Sequence, residues 1–115
     1  MSNSSLYVLK PKVVDTTIIK ALKFVPTELG FAEFREFCGD SFVKFYTGIM
    51  GDSIFMADIK INTSHYAGFA GYDIGTLQEG GFVLKYLKNG KYGDELYIIT
   101  EDELNKLFDR IPNGN

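Results

Sequence analysis

GGFVLKYLKNGKYGDELYIITEDELNKLF, residues 80–108, decides the fold of this chain. Residues 82–87 and 95–100 are rich in β-branched, aromatic and leucine side chains, the composition of a strand. Between them stands Asn89-Gly90. Both residues accept positive φ, which a type I′ hairpin turn requires at its two central positions. Lys91-Tyr92-Gly93-Asp94 lengthens the connection, so a bulge or second turn is expected before the return strand. Thr100-Glu101-Asp102-Glu103 then has the form of a capping box: the threonine hydroxyl takes the Glu103 amide proton, and the glutamate reaches back. Its acidic residues also suit the positive end of a helix dipole. Leu104, Leu107 and Phe108 are the expected buried face, and Ile111-Pro112-Asn113-Gly114 the stop. Lys85, Lys88 and Lys91 read as edge protection and solubility.

Upstream, TTIIKALKF (16–24) is β-branched at its start and reads as a strand, with Lys20 and Lys23 among apolar neighbours. Its Ala, Leu and Lys also suit a helix. Pro26 stops it. Phe31, Phe34 and Cys38, with Phe37 alongside, make one helical face. Thr27 is placed to cap the start, and Gly39 stands where a left-handed C-cap belongs. Residues 41–47 and 54–62 read as strands. In the second, Phe55, Ala57, Ile59 and Ile61 alternate with polar Asp58 and Lys60, a half-buried pattern. Asp58 and Lys60 read as a weak surface pair. Residues 63–80 have no clean period and carry Gly68, Gly71, Gly75 and Gly80, with a short strand expected at 72–77. Residues 1–5 are polar and expected to be loose, and Pro11 argues against a central strand near it.

These elements predict one small α+β domain over residues 1–115: an antiparallel sheet of four or five strands, with helices 30–38 and 101–109 packed on one side. The length suffices to bury most of the apolar surface without a metal or disulfide. Ten Phe and seven Tyr stand beside no Trp. The core can absorb most of the Phe. The Tyr either cover strand faces or line a contact surface, since each buried hydroxyl needs a partner.

The formal net charge is −3, unevenly spread. Residues 27–83 carry Glu28, Glu33, Glu36, Asp40, Asp52, Asp58, Asp73 and Glu79 against Arg35, Lys44 and Lys60, so the middle is acidic. Direct nucleic-acid binding is disfavoured, because it calls for a basic stripe. An acidic face suits a basic partner. Cys38 is the single cysteine, which excludes an internal disulfide and fits a reducing, cytoplasmic setting. It reads as a core residue, since a helix C-terminus disfavours thiolate. His65 is the single histidine and has no nominated partner. No secretory signal, membrane span, phosphate loop or zinc spacing is visible, so no cofactor, metal or catalytic residue is expected.

Residues 63–79 are the segment without a folding explanation. Tyr66, Phe69 and Tyr72 recur there at steps of three between small residues, with Asp73 beside them. They form an aromatic contact patch in one reading and pack as core in the other. IIKALKF (18–24), EFREFCGD (33–40), GGFVLKYLKNG (80–90) and GDELYIITEDELNKLF (93–108) come in an order that resembles a group of small bacteriophage and prophage accessory proteins. In that group a strand of the type VIEAxxF precedes a short helix ending in FxG. Further strands, a hairpin of the type PGDYIIKG-GE-Y and a short C-terminal helix follow. This chain departs from the group at Gly80-Gly81, where the group has Gly-Asp, and in its longer hairpin turn and longer 63–79 segment. The resemblance implies origin: a small accessory protein of a phage or prophage, acting in the bacterial host cytoplasm. By analogy with other such proteins that lack catalytic motifs, a non-enzymatic protein that binds and inhibits or modulates a host protein is expected. A defence nuclease of the CRISPR kind is one such target. The alternative is a small-ligand protein, a nucleotide sponge, with aromatics stacking a base and glycine amides holding phosphate.

Overall fold

The computed structural model describes residues 3–10, 17–47, 54–62, 72–93 and 95–111. Its elements in chain order are β1 (Ser4–Leu9), β2 (Ile18–Lys23), α1 (Glu28–Cys38), a single 3-10 turn (Gly39–Ser41), β3 (Phe42–Thr47), β4 (Phe55–Asn62), β5 (Tyr72–Gln78), β6 (Phe82–Lys88), β7 (Lys91–Tyr92), β8 (Tyr97–Ile99), α2 (Glu101–Leu107) and β9 (Phe108–Arg110).

The hairpin expected at Asn89-Gly90 is present, with φ of 52° and 79° at the two residues. It joins β6 to the two-residue β7, where Leu87 pairs Tyr92 and Lys88 pairs Lys91. The chain then leaves the edge and returns to it as β8, so that Phe82 pairs Ile99 and Leu84 pairs Tyr97. One edge of β6 is thus filled by two short strands in succession, the irregularity that the long turn foretold. On its other edge β6 pairs β2, which pairs β1, which pairs β9, all antiparallel. Both helix starts form as read. Thr27 Oγ1 accepts from the Gly30 amide at 3.0 Å, and Thr100 and Glu103 close the capping box, with the Glu103 amide 3.1 Å from Thr100 Oγ1.

The α+β class holds, but the single sheet of four or five strands does not. There are two sheets, one of six strands and one of three in the order β3-β4-β5. The additions are elements with weak sequence signals. Ser4 and Ser5, expected in a loose segment, pair with Leu22 and Ala21. Pro11 lies outside the described residues, and β1 ends ahead of it. β9 is only Phe-Asp-Arg, and it places Leu9 opposite Phe108.

The helices also lie on opposite faces of the large sheet rather than on one side. Successive strand residues face opposite ways. Leu22 and Val83 therefore face one core with Phe34 and Cys38 of α1, together with Ala57, Ile59 and Leu77 of the small sheet. Ile19, Ala21, Phe82 and Leu84 face the other with Leu104 of α2, Tyr7 and Phe108. Leu107, expected in the buried face of α2, is 48% exposed. Phe108 is buried, but as the first residue of β9.

Every described Phe belongs to one of these two clusters. Phe24, Phe31, Phe34, Phe42, Phe45 and Phe55 form a continuous set of ring contacts between α1 and the strands. At the junction of the sheets, Gly80 (φ 88°) turns the chain from β5 into β6. Its amide donates to the Phe24 carbonyl at 2.8 Å, and the Phe24 amide donates to Gly81 at 2.9 Å. Gly75 of β5 leaves room for Ile98 of β8: a Cβ there would stand 2.8 Å from Ile98 Cδ1.

Cys38 is the core residue its spacing indicated, 6% exposed. Burial pushes its thiol from an ordinary 9.0 up to about 12, with the Lys85 charge pulling weakly the other way. The folded chain keeps a proton that the unfolded chain releases, so the stabilisation from the neutral buried thiol is complete below pH 9.0 and is lost as pH rises toward about 12. Urea midpoints measured from neutral pH upward are expected to fall more steeply above pH 9.0 for the native chain than for Cys38→Ala. Parallel falls would contradict this assignment.

Candidate functional site

The outer face of the small sheet is built by alternation. Phe55, Ala57 and Ile59 of β4 turn inward to the core. Met56, Asp58 and Lys60 therefore turn outward, and their registered partners on β5 are Gln78, Thr76 and Ile74. On β3, Lys44 pairs with Asp58 and Tyr46 with Met56, beyond a register shift between Phe42 and Lys44. A bulge of this kind is a common way of re-aiming edge side chains.

Polar bonds fix this face. Asp58 Oδ1 accepts from the Tyr46 hydroxyl at 3.0 Å and from Thr76 Oγ1 at 2.7 Å, one residue from each strand of the sheet. Lys44 Nζ lies 5.2 Å from the centre of the Tyr46 ring. The expected Asp58–Lys60 pair is thus not what anchors Asp58, whose bonds run across the strands. Ile74 is 50% exposed, with Met56 half-buried on the same face. The result is a surface with apolar groups and hydroxyls held in fixed geometry by one carboxylate.

Of the patch residues read from the sequence, Tyr72 and Asp73 fall at one end of this sheet. Asn62, the last residue of β4, pairs with Tyr72, the first of β5. Tyr66 and Phe69 fall in sequence between these two paired residues. Tyr66, Phe69 and His65 lie outside the described residues. Tyr72 and Asp73 are placed by backbone alone, Asp73 opposite Ile61, and their side chains lie outside the description.

The acidity of the middle segment resolves differently from a single face. Glu28, Glu33, Glu36 and Asp40 stand along α1 and the turn after it. Glu33 takes the Asn3 amide on both carboxylate oxygens, each at 3.1 Å, and the Asn3 side chain at 3.0 Å. Glu79 accepts from the Phe55 amide at 2.8 Å.

A second feature had no sequence signal beyond two lysines among apolar neighbours. Between α1 and the large sheet runs a groove of about 320 Å³, walled by Glu33, Glu36 and Phe37 on one side and Lys20, Leu22 and Lys85 on the other, with Tyr92 at its rim. Lys85 Nζ sits 4.5 Å from the Phe37 ring centre, and Lys20 Nζ 5.7 Å from that of Tyr92. Lys85, read as edge protection, is instead an inward-facing residue of β6. On the other face of the sheet Tyr86 and Tyr97 meet edge-on at 5.1 Å. The Tyr97 hydroxyl donates to Glu95 at 2.7 Å, and that bond, ahead of burial, raises the phenol to about 12.

Each described Tyr lies on a strand, as one of the two sequence readings held. Among the described residues, no three of His, Cys, Asp and Glu gather in a metal-binding arrangement, and no helix is long and apolar enough to cross a membrane. Comparison with protein-family models, with curated proteins and with solved structures gives no match to this chain.

Proposed function

We propose that this chain is a non-enzymatic binding protein that docks onto another protein through the outer face of its three-stranded sheet. Its role is that of a phage accessory protein inhibiting or modulating a host factor in the bacterial cytoplasm. The observation that carries the reading is the Asp58 network. Tyr46, Asp58 and Thr76 tie all three strands together on an open face that also presents Met56 and Ile74.

A surface ordered before contact loses little side-chain entropy on binding. Tyr and Met are among the residues enriched at the centres of protein interfaces, and a rim of polar groups is the usual surround. Here Lys44, Lys60 and Gln78 are that rim. The Asn62–Tyr72 pair stands at the end of this sheet, and Tyr66 and Phe69 lie between its two residues in sequence.

The test is capture from a bacterial lysate with three baits: the native chain, Ile74→Asp, and the triple change of Tyr66, Phe69 and Tyr72 to Ala. Position 74 is exposed and faces Lys60 across the strands, so Asp is expected to change stability by no more than about 0.5 kcal/mol. The native bait is expected to retain a saturable partner that both variants bind at least about tenfold more weakly, with unchanged melting temperatures. Equal retention by Ile74→Asp would remove the sheet face from the interface. A large loss of stability in the triple variant would assign those aromatics to the core.

A further inference from the structure

The groove between α1 and the large sheet holds an arrangement that folding alone does not favour. Lys20 and Lys85 are directly opposed across β2 and β6, and both line the groove. Like charges facing each other across a strand pair are destabilising. The two ammonium groups reach different rings, Lys20 toward Tyr92 and Lys85 toward Phe37. Leu22 and Ser4 line the groove beside them. An anion seated there would meet two cations at once and relieve their repulsion, with charge-assisted bonds stronger than neutral ones.

Two further features narrow the ligand. Tyr92 lines the groove and is 37% exposed, so an aromatic side chain is accessible there to a flat ligand. The opposite wall carries Glu36, an acceptor for N–H donors, while Glu33 is engaged by Asn3. Two carboxylates on this wall disfavour a polyanionic strand but leave room for one compact anion. The volume of about 320 Å³ stands at the lower end of the range for small-ligand sites.

We propose that this groove binds a small phosphorylated ligand with a flat, N–H-bearing ring, of the nucleoside monophosphate class. The phosphate lies between Lys20 and Lys85, the ring on Tyr92, and Glu36 accepts from the ring's N–H groups. The site is distinct from the partner-facing sheet and uses none of its residues, so either can fail alone.

The experiment is a thermal-shift series on the full chain with adenosine, guanosine, cytidine and uridine 5′-monophosphates, and with inorganic phosphate and adenosine as controls. A ligand that binds only the folded state raises the melting temperature. At least one monophosphate is expected to give a shift of several degrees, with neither control matching it. Titration calorimetry with that nucleotide is expected to show at least about tenfold weaker binding for Lys20→Met, Lys85→Met and Tyr92→Ala. Methionine keeps the apolar stem of each lysine, so the variants are expected to fold, and their unliganded melting curves check it. No shift with any monophosphate, an equal shift with inorganic phosphate, or affinity unchanged in all three variants would overturn the proposal.

Discussion

Replacing Phe24 with alanine is expected to cost about 3–5 kcal/mol, the range for deleting a fully buried Phe. Phe24 is 0% exposed. Its ring meets Phe34 at 5.0 Å, Phe45 at 5.6 Å and Phe31 at 6.0 Å. These neighbours come from α1 and β3, so the lost ring leaves a void between a helix and both sheets rather than one a single side chain can close. The backbone of Phe24 is held as well, through its bonds with Gly80 and Gly81. Collapse around the site is therefore restricted, which places the cost toward the upper part of the range. Stability of a domain this size is commonly about 5–15 kcal/mol, so the variant is expected to lose much of it. Urea unfolding measures the loss directly. A cost below about 1 kcal/mol would mean that the ring cluster is not the packing centre.

Gly30→Ala is expected to destabilise the protein although the position is helical. In an open helix interior, alanine is favoured over glycine by about 1 kcal/mol. At Gly30 a Cβ would stand 2.0 Å from the Val25 carbonyl oxygen and 3.0 Å from Thr27 Oγ1. The first contact is with backbone, which cannot rotate away. The segment from Val25 is further tied by the bond from the Thr27 amide to the Val25 carbonyl at 2.8 Å. Relief requires α1 to move off its start, and with it the cap in which Gly30 donates to Thr27. Overpacking of this kind costs about 1–3 kcal/mol. The sign is the test: thermal unfolding of Gly30→Ala at a lower temperature than native agrees with the close approach, and a higher temperature contradicts it.

The parts of the fold legible in the sequence were those with local causes. Asn89-Gly90, the Thr100–Glu103 box and the Thr27 cap each act through backbone groups within a few residues, and each forms as read. Gly39 takes the positive φ expected of it, 54°, but with ψ of −130° it is not the left-handed cap, and the chain runs on into a 3-10 turn. The alternation of β4 likewise fixes which side chains enter the core. What the sequence does not display is which face of a sheet meets which helix. That depends on registers between distant strands, such as Ile19 with Tyr86 and Leu9 with Phe108. Short edge strands are equally hidden, because β7 and β9 owe their form to the neighbour they pair with rather than to their own composition.

The candidate surfaces show the same division. Tyr46, Asp58 and Thr76 are twelve and eighteen residues apart in sequence and meet only because β3, β4 and β5 are in register. Read along the chain, Asp58 pairs naturally with Lys60. Read across the strands, it is the hub of a face. Lys20 and Lys85 gain their significance in the same way, through a cross-strand pairing that neither neighbourhood reveals. Of the aromatic steps at Tyr66, Phe69 and Tyr72 read from spacing, only Tyr72 is among the described residues, its backbone paired with Asn62.

Hydrogen–deuterium exchange of the chain, alone and with its captured partner, tests the docking surface most directly. New protection is expected to concentrate in residues 42–47, 55–62 and 72–78, with α2 and β9 unchanged. Protection centred on α2 and β9, with the three-stranded sheet exchanging as in the free protein, would contradict it.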